Sequence, residues 1–224
     1  MPAPHPGQIR EMNLSDVADL GYPLPPPNFP LVWSEHDEVE LRSRLEIEIR
    51  CVILHVLLTA ALGASREVTL GWLERNEIAD HLTDDERMFL ERRSGNIDEF
   101  MLCIEAEWAL AWLLGIADEL DPTQYVGDGL AAWAPNLQED EPFETWRLRS
   151  PVQIRSAEEA AVLLDLYYCL DAGNAEAMRA DAFPPGVTQP YVIGQRRWAL
   201  EWAVIFRGDD HGDPPAWDEV EMGV

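Results

Sequence analysis

The chain has 224 residues, 42 acidic and 16 basic, for a formal net charge of −26. Every basic residue is arginine, which excludes chemistries that need a lysine: a P-loop phosphate clamp, a pyridoxal Schiff base, a kinase-type ATP lysine or a lysine general base. The charge argues against a nucleic-acid partner and against docking to an anionic membrane, both of which need a basic face.

Eight of the 17 prolines fall within the first 30 residues, so residues 1–33 read as a Pro-rich N-terminal arm. Within it Gly21–Pro30 favours polyproline II, because each ring fixes φ and removes a donor. Tyr22 and Phe29 give the arm something to bury on its own domain.

A helical domain is expected over 34–207. Ser34, with Asp37 three residues on, predicts a helix start, and Gly63 a C-terminal stop. This helix would carry the i,i+4 pairs Glu38–Arg42, Glu40–Arg44 and Glu46–Arg50. Its apolar stripe would be Leu41, Leu45, Ile49, Val52 and Val56. Ser65 can cap a second helix holding Leu70, Trp72 and Leu73. Thr83 and Glu86 form a capping-box pattern that opens a third. Asn96, with Glu99 behind it, predicts a fourth helix through Phe100, Ile104, Trp108 and Trp112 to Asp121. Its 108–117 stretch is apolar on every side, as in the central helix of a bundle.

Residues 122–155 are proline-punctuated and irregular, with room for a short strand pair. Ser156 and Glu159 form another capping box, and a last helix is expected over 189–207. Residues 208–224 are an acidic tail with a Trp217-Asp218 motif. The fold class is therefore mainly all-α, a single helical-bundle-like domain.

Chemical motifs are sparse. Gly127–Ala132 matches G-x-G-x-x-[GA], but Pro122 and Pro135 leave no βαβ unit around it. Asp209, Asp210, His211 and Asp213 are weak metal candidates of a composition common in acidic loops. Cys51 and His55 lie one helical turn apart in the most apolar stretch, where core packing is the expected role. No G-x-S-x-G nucleophile elbow exists. No cofactor is expected. Cys51, Cys103 and Cys169 are far apart and odd in number, as in a reducing cytoplasm. The apolar uncharged runs 51–65 and 108–117 are shorter than the roughly 20 residues of a membrane span.

From Glu105-Ala-Glu-Trp-Ala-Leu-Ala-Trp-Leu-Leu-Gly115 onward the sequence resembles the mainly bacterial family known as domain of unknown function 4272. The resemblance extends to Arg50 with its Ile-Leu-His-Val-Leu run, Trp72-Leu73 and Leu82–Arg87. Downstream it takes in Asp165-Leu-Tyr-Tyr168, Val192–Trp202 with the double arginine, and Trp217–Val220. Asp171-Ala172 stands where the family pattern commonly has His-Trp. The resemblance implies an all-α fold but no established activity, so it carries over no catalytic residues.

Glu105, heading the most buried helix, needs a partner, and Arg196 or Arg197 is expected to supply it. The leading functional expectation is a non-enzymatic cytoplasmic protein that binds a basic protein partner through its acidic surface, in the manner of an immunity or inhibitor protein. A ligand pocket lined by Glu105, Asp165, Tyr168, Arg196, Arg197 and Trp198 is the alternative, and an oligomeric scaffold is a third.

Overall fold

A computed structural model describes residues 2–92, 95, 97–127, 129–150, 153–182 and 189–223. The protein is mainly α-helical with one small antiparallel sheet. The chain divides into two compact units. Unit 1 comprises residues 1–42, 121–125 and 155–224; unit 2 comprises 43–120 and 126–154.

In unit 1, α1 (Pro6–Asp19) and α10 (Pro190–Ala203) pack against the long α9 (Ala157–Arg179). Helix α9 opens where the sequence places it. The Ser156 hydroxyl accepts from the Glu159 amide, and the Glu159 carboxylate accepts from the Ser156 amide. The arm contains α1, which was not expected. Its inward residues are Pro6, Arg10, Asn13 and Val17, at helical spacing but half polar. Downstream, Tyr22 is buried and Phe29 stacks on Tyr168 at 4.5 Å.

The sheet pairs β1 (Glu38–Leu41) with β2 (Val204–Arg207), Val39 opposite Phe206 and Leu41 opposite Val204. Two sequence expectations give way here. Glu-Val-Glu-Leu alternates polar and apolar, and Val39 is fully buried, so period 2 wins over the i,i+4 charge spacing. Glu40 accordingly bonds Arg207 of the partner strand at 2.7 Å. Ser34 caps no helix; its amide donates to the Asp37 carboxylate in the turn before β1. Likewise the last helix stops at Ala203, and the β-branched Val204-Ile205 continues as strand.

Unit 2 is built on α2 (Arg44–Ala61) and α6 (Ile104–Leu113), which pack on each other. A Ser43–Glu46 capping box starts α2, nine residues later than Ser34 predicts. Around them lie α3 (Leu70–Arg75), α4 (Asp84–Arg92), α5 (Ile97–Leu102), α7 (Leu130–Trp133) and α8 (Phe143–Arg149). Thr83 and Glu86 exchange the reciprocal bonds expected of them. Asn96, the expected cap of the next helix, lies outside the described residues. That helix is divided at Cys103 into α5 and α6 and ends before Gly115, well short of Asp121. The described residues of 122–155 hold two short helices and no strand.

Gly63 and Gly115 both end helices with positive φ, +100° and +70°. In each case the residue after the glycine donates back to the third-last helical carbonyl: Ala64 to Thr59, and Ile116 to Ala111. The surroundings differ. A Cβ on Gly63 would meet nothing within 4 Å, whereas one on Gly115 would lie 2.3 Å from the Gln153 carbonyl oxygen. Gly63→Ala should therefore cost about 1–2 kcal/mol of left-handed strain. Gly115→Ala should cost clearly more, because backbone must move. Urea midpoints of the two variants test the order.

Candidate functional site

Helix α2 sets Cys51, His55, Leu58, Thr59 and Leu62 along one side, at spacings of three and four. Helix α6 sets Glu107 against them, and His55 Nδ1 lies 3.1 Å from Glu107 Oε1. Glu107 is fully buried; the His55 side chain keeps 14 % of its surface exposed. Burial holds the Glu107 carboxyl above the usual carboxylate range, with His55 pulling the other way. Glu107 Oε2 has no hydrogen-bond partner among the described residues.

Cys51 does not pair with His55 for chemistry. Its thiol donates to the Glu107 carbonyl at 3.6 Å, and burial beside Glu107 and Glu48 raises its pKa well above normal. It stays a protonated core thiol.

Above His55 opens a cleft of about 670 Å³. Leu58 and Thr59 of α2, its C-cap Leu62 and Ile104 of α6 line one wall; Val126, Gly127 and residues between 130 and 138 line the second, and Arg149 also lines the cleft. The second wall has little regular structure, and side chains fasten it. Val126 donates its amide to Glu105 Oε1 at 3.2 Å. Arg149 donates to the Trp133 and Ala134 carbonyls and binds both oxygens of Glu141, at 2.6 and 2.9 Å. Trp146 Nε1 donates to the Trp133 carbonyl at 2.7 Å. Gly127, Leu130, Ala131 and Ala132 line this wall, the last three within the four-residue α7.

The residues singled out in the sequence are distributed over both units. Glu105 belongs to unit 2, where it tethers the cleft wall, and Asp165, Tyr168, Arg196, Arg197 and Trp198 belong to unit 1. Arg196 donates to the Asp121 and Gln124 carbonyls and the Tyr167 hydroxyl, at 2.6, 2.7 and 3.1 Å. Arg197 holds Asp171 at 2.6 Å and Glu201 at 3.2 Å, and its guanidinium lies 4.6 Å from the Tyr168 ring centre. Arg10 grips Asp165 through Nε and Nη2, and Asn13 adds a third donor. Trp198 Nε1 bonds the Trp217 carbonyl. These contacts fasten α1, α9, α10 and the C-terminal segment within unit 1.

His211 Nε2 lies 2.8 Å from Asp37 Oδ2. Among the described residues no group of three His, Cys, Asp or Glu is gathered to hold a metal ion, Asp209, Asp210 and Asp213 included. No helix among them is long and apolar enough to cross a membrane.

The buried carboxylates respond to pH in two directions. Burial pushes Asp37 up, but hydrogen bonds from Ser34 and His211 carry its pKa below normal. Its stabilisation is present above the unfolded pKa and is lost as pH falls through the folded one. Glu107 has the opposite sign. The fold holds its proton longer than the unfolded chain, so stability falls as pH rises through the interval between the two pKa values. Glu107→Gln should flatten that decline and Asp37→Asn the acid-side loss, both read from urea midpoints across pH.

A mainly helical chain, with a histidine–glutamate dyad beside a mostly apolar cleft, is thus the class that the structure defines. The chain belongs to the family described as Domain of unknown function (DUF4272), which matches residues 10–220. No curated protein and no solved structure matches it.

Proposed function

We propose that the protein binds a small molecule in the unit 2 cleft, over His55. One observation carries the reading: a histidine with one ring nitrogen fixed by a buried glutamate, lining a cleft of about 670 Å³ whose walls are mostly apolar, with Thr59, Asn136, Gln138 and Arg149 as the other polar side chains. That size suits a drug-sized ligand, and a few polar groups among apolar walls give such sites their specificity. A buried carboxylate behind a histidine fixes its ring orientation. The fastening of the second wall by Glu105, Arg149 and Trp146 supports a cleft formed before the ligand arrives. A fragment screen by ligand-observed NMR tests this, with Ala131→Trp filling the cleft. Hits at millimolar concentration that disappear in the variant are expected; hits that persist unchanged, or none at all, would sink the reading.

The charge favours a second reading, a cytoplasmic protein that captures a basic macromolecule. Unit 1 holds 21 acids and 7 arginines, and unit 2 holds 21 acids and 9 arginines, so both are strongly negative, −14 and −12. Arg10, Arg50, Arg196 and Arg197 are buried and contribute little at the surface. A negative field steers cationic partners and fades with salt. Pull-down from lysate at low and high ionic strength should recover a basic partner preferentially at low salt.

A further inference from the structure

The dyad under the cleft is electrically constrained. Glu107 is fully buried, only Oε1 has a partner, and Oε2 is without one among the described residues. An uncompensated carboxylate there is costly, which favours a net-neutral dyad over a carboxylate facing a neutral imidazole. The neighbouring thiols of Cys51 and Cys103 are both kept protonated by burial and by Glu107 itself, and Arg149 is committed to Glu141. None of these compensates Glu107.

A dyad of zero net charge has two forms. Either an imidazolium faces a carboxylate, or a carboxylic acid donates to Nδ1 of a neutral imidazole. In both forms His55 Nε2 carries a hydrogen. Nδ1 is turned to the buried Glu107, so this N–H is the polar group that the histidine offers to the cleft.

We propose that the cleft takes an uncharged, largely apolar molecule bearing a hydrogen-bond acceptor, such as a ketone, ester or amide carbonyl, and that His55 Nε2–H donates to it. This rests on the small-ligand reading and names its ligand class. Leu58, Leu62, Ile104, Leu130 and Leu137 match an apolar body. An anion would place a second negative charge near Glu107, on a chain that already carries −26.

Three probes of nearly equal shape separate the possibilities by calorimetric titration of the whole protein: 2-acetylnaphthalene, 2-ethylnaphthalene and 2-naphthoate. The ketone should bind about 10-fold tighter than either of the others, the size of one well-made hydrogen bond. In the double variant His55→Leu/Glu107→Leu, which removes the dyad without stranding a charge, the ketone's advantage over the ethyl probe should fall below about 2-fold, with ethyl binding retained. Equal binding of ketone and ethyl probes to the wild type, or tightest binding of the naphthoate, overturns the inference and leaves the small-ligand reading standing. An undiminished ketone preference in the double variant overturns the role of His55. Silence from all three probes overturns the inference, and the fragment screen then decides the small-ligand reading separately. The wild-type ratio decides alone if the double variant does not fold.

Discussion

Asp165→Ala should destabilise unit 1 by about 3–5 kcal/mol, the usual effect of removing one partner of a buried ion pair. Asp165 is 1 % exposed and Arg10 7 %. The carboxylate accepts from Arg10 Nε at 3.0 Å, Arg10 Nη2 at 2.7 Å and Asn13 Nδ2 at 2.9 Å. Without it, Arg10 keeps two backbone carbonyls, Phe29 and Pro30, and a place beside the Phe29 and Tyr168 rings. None of these neutralises its charge. Arg10→Met/Asp165→Leu removes both charges and should recover most of the loss. Urea unfolding of the single and double variants measures both. A single variant within about 1 kcal/mol of wild type would show that water reaches Arg10 freely.

Trp72→Ala should be comparably severe in unit 2, at about 3–5 kcal/mol. The indole is fully buried, and its Nε1 donates to the Glu141 carbonyl at 2.9 Å. Truncation opens a cavity and leaves that carbonyl without its donor. Trp72→Phe separates the two effects. It keeps much of the apolar volume and loses the donor, so its cost should lie near about 1–3 kcal/mol. The Glu141 side chain binds Arg149, which braces the cleft wall, so Trp72→Ala should also weaken whatever the cleft binds.

Legibility tracked the range of the interactions. The capping boxes at Thr83–Glu86 and Ser156–Glu159, and the Gly63 stop, span a few residues and are read directly. Helix α1 is silent because its inward stripe includes Arg10 and Asn13, which are buried by an aspartate 155 and 152 positions away. Strand β1 is misread because Glu38–Arg44 satisfies helical charge spacing and strand alternation together; only β2, far along the chain, decides between them. In the site, His55 stands out as a histidine inside an apolar run, and Glu107 lies in the stretch that carries the family resemblance. What joins them is the packing of α2 on α6, which no local pattern encodes. The cleft's second wall is an irregular segment whose shape depends on Glu105, Arg149 and Trp146.

The interleaving of the two units matters for synthesis on the ribosome. Unit 2 runs, with one short interruption, from 43 to 154 and can be complete while the remainder of the chain is still being made. Unit 1 holds both ends of the chain. Helix α1 is made before unit 2, yet Asp165 and the rest of α9 come some 150 residues later, and β1 must wait for β2. The segment that precedes unit 2 therefore carries an arginine, a strand edge and several aromatic residues without their partners until unit 2 has been made. No single cut releases unit 1 whole, so a fragment meant to carry it has to rejoin its two ends, as in a circular permutant with unit 2 excised.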